Sequence, residues 1–340
     1  MSVFLFVFFG LLAGLRYFVD ADYENYSFIF DATPVISEFS ANDITDLHGE
    51  VGFLFVLSLF KSAGVPFFIF VLFSSFVSLW GKIYFYRATV GSSALAVSLY
   101  FCLYFINIEF IAIRWALATS FIVLGFYCKY NKNRFLTACF FTLSMCFHYY
   151  SLLFIVIAFL PLQRIKFSSY FALFFIVASV SIFQKFFGIS INVDAVNSDV
   201  YIISRIIRYL INVESNVGLM SILRVLMYVL TFYFFWLTQK SVFNNRLTSF
   251  LLTLTMTVLT ISIIFLNVPI FFLRGIVVGD LLSIALILRL ISKSNLAIEF
   301  KALMLYSFTF LFMLWGAIDI NKKLTTEAIS EYQSWLQFLI

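Results

Sequence analysis

Long apolar runs follow one another along this chain, separated by short polar stretches. A helix that crosses a bilayer takes about 20 mostly apolar residues. The pattern predicts such segments at roughly 2–19, 51–80, 88–107, 110–128, 135–161, 167–187, 219–238, 247–266, 270–290 and 300–319. Two of them are interrupted, 51–80 by Lys61, Gly64 and Pro66, and 135–161 by His148. Each is too long for one straight helix and too short for two full ones. A half-helix or re-entrant break is expected in both, and such a break survives only where protein or water covers its backbone. The expected fold is all-α: a polytopic integral membrane protein of about 10–12 transmembrane or half-membrane helices, one transmembrane domain over residues 1–340. The first run has no small-residue cleavage site leading into a soluble domain, so it reads as a retained helix.

Composition removes the soluble alternatives. The chain is 63% hydrophobic and 11% charged, with a mean hydropathy of +1.03, more apolar surface than a soluble domain can hide. Its 48 Phe predict Phe-rich lipid-facing surfaces and helix contacts. Cys102, Cys128, Cys139 and Cys146 fall in or beside apolar runs, without zinc-ligand spacing or a disulfide framework, and read as packing residues. The basic balance belongs to loops that set orientation and does not indicate nucleic acid. There is no Gly-rich phosphate loop, Gly-X-Ser-X-Gly elbow or nucleotide-binding domain, so an ATP-driven pump and a serine hydrolase have no support.

Charge sets the orientation. Residues 20–50 carry Asp20, Asp22, Glu24, Asp31, Glu38, Asp43, Asp46 and Glu50 with no Lys or Arg. By the positive-inside rule this loop lies outside and the N-terminus is cytoplasmic. With 135–161 folded as a hairpin that returns inside, most basic residues fall on the cytoplasmic side, from Lys82 and Arg87 onward to Lys301. Lys185, Arg205, Arg208, Lys322 and Lys323 remain in outer segments, among them the loop 188–218.

Five ionisable groups then stand against the rule, all toward the outer side: Arg16, Arg114, Arg224, Arg274 and His148. Any one of the arginines could snorkel from a helix end. As a set they point to something anionic at the outer face. Arg205 and Arg208, at i and i+3 in an otherwise apolar stretch, add an amphipathic interfacial helix with its arginines at headgroup level. Arginine suits phosphate, because its planar fork bonds two oxygens and keeps its charge when buried. Asp20-Ala21-Asp22 could hold a divalent cation, but an acidic loop produces that pattern by chance; Asp22 is assigned a structural or substrate-binding role, and no metal or other cofactor is expected. His48 has no partners at metal-ligand spacing. Asp280, at membrane depth and off the helical face of Arg274, calls for a partner on another helix.

With these residues in hand, the chain resembles the Wzy-type O-antigen and exopolysaccharide polymerases of the EpsG group. The matching elements are Gly14-Leu15-Arg16-Tyr17, Asp22-Tyr23 with Tyr26, Glu50 with Gly52-Phe53, Arg114, Phe147-His148 with Ser151, and Arg274. Ala21 stands where that family tends to carry Gly, and the surroundings of Arg274 match least. The resemblance implies a GT-C-like glycosyltransferase in the bacterial inner membrane, its site facing the periplasm. Its substrates would be undecaprenyl-pyrophosphate-linked oligosaccharides, one unit being transferred onto the sugar hydroxyl of another. Membrane lipid and a chain-length regulator protein are the implied partners, with no nucleic acid. Arg114 and Arg274 are expected to hold the pyrophosphate, supported by Arg16 and by Arg205 or Arg208. His148 is expected to move the proton, preferably as a base, and Asp22, Tyr23, Tyr26 and Glu50 to line the sugar side. The competing class is a transporter or flippase for lipid-linked oligosaccharide, which would show basic contacts on both sides and internal repeats. No repeat is seen. A membrane acyltransferase would need an acyl-carrier route on the cytoplasmic side, and the sequence offers none.

Overall fold

The computed structural model describes residues 2–17, 21–40, 47, 49–91, 93–161, 166–186 and 217–325. Arg205 and Arg208 with their interfacial helix, and Asp20 and His48, lie outside the described residues. Within them the secondary structure is helical and contains no strand. The chain divides into two compact units, Met1–Leu152 with Tyr306–Ile340, and Leu153–Leu305. Among the described residues, seven helices are long and apolar enough to cross a membrane, in keeping with an all-α polytopic membrane protein; the run at 2–19, expected to span, forms a helix of 13 residues.

The first unit begins with α1 (Ser2–Gly14), α2 (Ala21–Ala32), α3 (Val51–Ser62) and α4 (Phe67–Val90). It continues with α5 (Ser93–Tyr104), a π-helical turn (Phe105–Ile111), α6 (Ile113–Tyr130) and α7 (Arg134–Phe147). The break expected in 51–80 is present: α3 ends at Ser62, Gly64 turns the chain at φ 67°, and Pro66 caps α4. The expected loop after residue 80 is not. α4 continues for 24 residues, and Lys82, assigned to a cytoplasmic loop, is buried inside it and paired with Glu109 at 2.6 Å. Its ion pair lets the charge stay in the helix, so Lys82 carries no weight in the orientation count.

α8 (Ser151–Phe159) follows the break at His148. At 14 and 9 residues, α7 and α8 are each too short to span, as expected.

The second unit holds α9 (Phe167–Phe186), α10 (Leu219–Thr238), α11 (Arg246–Ile264) and α12 (Pro269–Lys293). Asn245 starts α11 by accepting from Leu247 N at 3.0 Å and Thr248 N at 3.3 Å, and Pro269 opens α12, where a missing N–H costs nothing. Gly279 lets the Leu259 side chain pack against the α12 backbone; an added Cβ would lie 2.7 Å from it. The last helix, α13 (Ile298–Thr325), bridges the sequence ranges of the two units. Phe4, Phe8, Phe135 and Phe310 are exposed, in keeping with a Phe-rich lipid face, and all four cysteines are free.

Candidate functional site

α6 and α7 form a helical hairpin through Asn131–Asn133, with Lys132 in the left-handed region at φ 59°. Asn133 caps α7 by accepting from Leu136 N at 3.0 Å. An antiparallel pair joined by so short a turn sets the start of α6 beside the end of α7. Accordingly the Trp115 ring meets His148 edge-on at 5.0 Å and Tyr150 at 5.6 Å.

His148 ends α7 by turning extended, at φ −159° and ψ 116°. The break is well supplied with hydrogen bonds. His148 N donates to the Ser144 carbonyl at 2.9 Å, Ser151 N to the His148 carbonyl at 3.0 Å, and the Ser151 hydroxyl to the Ser144 carbonyl at 3.0 Å. Tyr150 N donates to His148 Nδ1 at 3.2 Å. A backbone N–H can only donate, so Nδ1 is the unprotonated nitrogen and the neutral ring carries its proton on Nε2.

α3 reaches the same place through Gly52. A Cβ there would lie 2.6 Å from the Cys146 Cβ and 3.0 Å from its carbonyl oxygen, so only glycine admits this approach of α3 to the end of α7. Two residues earlier, the Glu50 carboxylate leaves its own helix start uncapped and receives Arg114 Nη1 at 2.6 Å. The Arg114 guanidinium lies 5.5 Å over Tyr26 and 5.6 Å over Phe53.

Arg16, fully buried, donates to the Ala13 carbonyl at 2.7 Å and lies 5.1 Å over Phe110 and 5.8 Å over Tyr23. Tyr23 and Tyr26 share one face of α2 at i, i+3, so the helix presents one tyrosine to each arginine. Burial pushes the Tyr26 phenol above its ordinary value, Arg114 opposes that shift, and Asp22 and Glu50 reinforce it. α2 itself is anchored at its far end. The Lys61 ammonium donates to the carbonyls of Phe30 at 3.3 Å, Asp31 at 2.6 Å and Thr33 at 2.7 Å, and the Ser58 hydroxyl donates to Pro34 at 2.8 Å.

The first unit thus gathers Arg16, Asp22, Tyr23, Tyr26, Glu50, Arg114 and His148. Arg274 lies on α12 of the second unit, partly exposed. There Arg224 meets Asp280 at 3.1 Å, which gives Asp280 the partner on another helix that its depth demanded and sets Arg224 apart as half of an ion pair. No cluster of three or more His, Cys, Asp or Glu fit to hold a metal occurs among the described residues.

Two elements escaped sequence reasoning. Trp115 walls the histidine, and nothing in an aromatic-rich chain singles it out. The second is the buried Lys82–Glu109 pair, with the Tyr100 hydroxyl donating to Glu109 Oε1 at 2.6 Å. An acid at membrane depth was the available signal, the same one that flagged Asp280. The EpsG family model matches residues 1–334. No curated protein and no solved structure matches the chain.

Proposed function

Since this chain belongs to the EpsG family, we propose that it polymerises lipid-linked oligosaccharide at the outer face of the bacterial inner membrane. One undecaprenyl-pyrophosphate-linked unit is transferred onto a sugar hydroxyl of another. The observation that carries the reading is the gathering of Arg16, which is buried, and Arg114, which is partly buried, with two tyrosines, Glu50 and His148 in one compact unit.

In the reaction the acceptor oxygen bonds to the anomeric carbon as the C–O bond to pyrophosphate breaks, and both bonding electrons leave with the pyrophosphate. The charge that develops there needs fixed positive partners in a site poor in water. Arg114 supplies a fork already oriented by Glu50 and braced on Tyr26 and Phe53; Arg16 supplies the second cation. Arg274, and Arg205 or Arg208, belong to the sequence range of the second unit, and their part in holding pyrophosphate rests on the family resemblance alone. The acceptor proton passes to the departing pyrophosphate. His148 serves this step as a hydrogen-bond donor through Nε2–H, because the nitrogen a base would need is engaged by Tyr150. Asp22 and the tyrosines line the sugar side.

Purified protein in nanodiscs, given lipid-linked repeat units, should build a ladder of chain lengths, and Arg114→Ala should not. Units that cross a proteoliposome membrane without any ladder would replace the polymerase with a transporter.

A further inference from the structure

Neither Lys82 nor Glu109 touches the chemistry just proposed, and each is 1% exposed. All three donors of the Lys82 ammonium are used: Ser78 Oγ and Glu109 Oε1 at 2.6 Å each, and the Ala116 carbonyl at 2.9 Å. Two buried charges are a poor way to hold helices together, since apolar residues of the same volume often do so as well or better. Packing alone does not account for the pair.

Its neighbours do. Glu109 sits in the π-helical turn Phe105–Ile111, which gives way to α6 through Ala112 at φ −93° and ψ 65°. π-turns are rare and occur often at functional sites. Phe110, the next residue, is the ring beneath Arg16. Ala116, which receives the third ammonium bond, is two residues beyond Arg114. From α4, then, one ammonium grips both sides of the break: the turn that sets Arg16 and the helix start that sets Arg114. The side-chain bonds from Lys82 tie this break to α4, in addition to the backbone bonds of the turn itself.

We propose that Lys82 and Glu109 are positioning residues, which lock the π-turn against the first turn of α6 and so aim Arg16 and Arg114 at one anion. The inference rests on the first unit being that anion's site. Misplacing such groups by about 1 Å can cost about 10²-fold in rate.

The test uses the full chain in nanodiscs with K82M, E109Q and the double variant K82M/E109Q. Either single change strands a charge, so the double variant, which strands none, carries the decision. It should lower kcat for ladder formation by about 10²-fold with KM held within about twofold. Hydrogen exchange should rise in peptides covering 105–118 and stay at the wild-type level in 246–293. Wild-type kcat in the double variant overturns the proposal, as does a rise in exchange spread evenly over both units. Should the wild type build no polymer, the reading of function fails, and exchange still decides the positioning role: a rise confined to 105–118 upholds it, and none overturns it.

Discussion

Glu50 Oε2 and Arg114 Nη1 stand 2.6 Å apart although 64 residues separate them in the chain. The pair joins the start of α3 to the start of α6 and keeps a carboxylate on the arginine that is assigned to pyrophosphate. Removing one partner of a buried pair costs about 3–5 kcal/mol, and this pair, with the Arg114 side chain 14% exposed, should cost less than that. Glu50→Gln should therefore lower the melting temperature. Arg114→Lys keeps the charge but loses the planar fork and its fit over Tyr26 and Phe53, so it should abolish the ladder while the protein stays folded; Arg274→Lys should do the same. Full ladders from both lysine variants would reduce these residues to membrane anchors.

His148 can be tested by what glutamine keeps. A glutamine amide donates a hydrogen bond but cannot take a proton, so His148→Gln should retain part of the activity and His148→Ala almost none. Equal loss in both variants would return the histidine to the role of base.

Tyr26 makes a prediction for alkaline pH. Burial raises its folded pKa above the ordinary 10.0, so the folded protein holds this proton more tightly than the unfolded chain does. The resulting stability is complete below pH about 10 and is lost as pH rises through the folded pKa. Tyr26→Phe removes that term. The stability advantage of wild type over Tyr26→Phe should shrink between about pH 9 and 11, as read from melting temperatures; an advantage that grows would contradict the burial of the phenol.

Orientation is open to labelling. In a background with the four native cysteines replaced, cysteine at exposed Ser40 should react with an impermeant maleimide in intact spheroplasts. Cysteine at Lys132, in the α6–α7 turn, should react only after permeabilisation. The opposite result would invert the chain and move the cation set to the cytoplasmic face.

The sequence was most legible where one residue alone dictates backbone: Gly64 and Pro66 mark the α3–α4 break, and His148 marks the end of α7. Asp280 announced that it needed a partner, but Arg224 could not be named, because pairing across helices has no fixed spacing. Lys82 misled for a related reason. A charge near the end of an apolar run looks like its flank, and only the position of Glu109 in space shows it to be interior. The meeting of Glu50, Arg114 and His148 was foreseeable as a set of candidates and not as a geometry, since it depends on the register of the α6–α7 hairpin and on the close approach that Gly52 permits.

Helices α1, α3 and α7 have 13, 12 and 14 residues, or roughly 18–21 Å at 1.5 Å per residue, against a hydrocarbon core of about 30 Å. All three lie in the first unit. A bilayer meeting such short walls thins locally or lets headgroups sink toward the protein, at a fraction of a kcal/mol for each Å of mismatch. Under the proposed function, a lipid-borne sugar phosphate arriving there would travel a shorter way down to reach Arg114 than beside full-length helices. Bilayer thickness thereby becomes a variable of the reaction: short-chain lipids should speed the first turnover, and long-chain lipids should slow it with no residue changed.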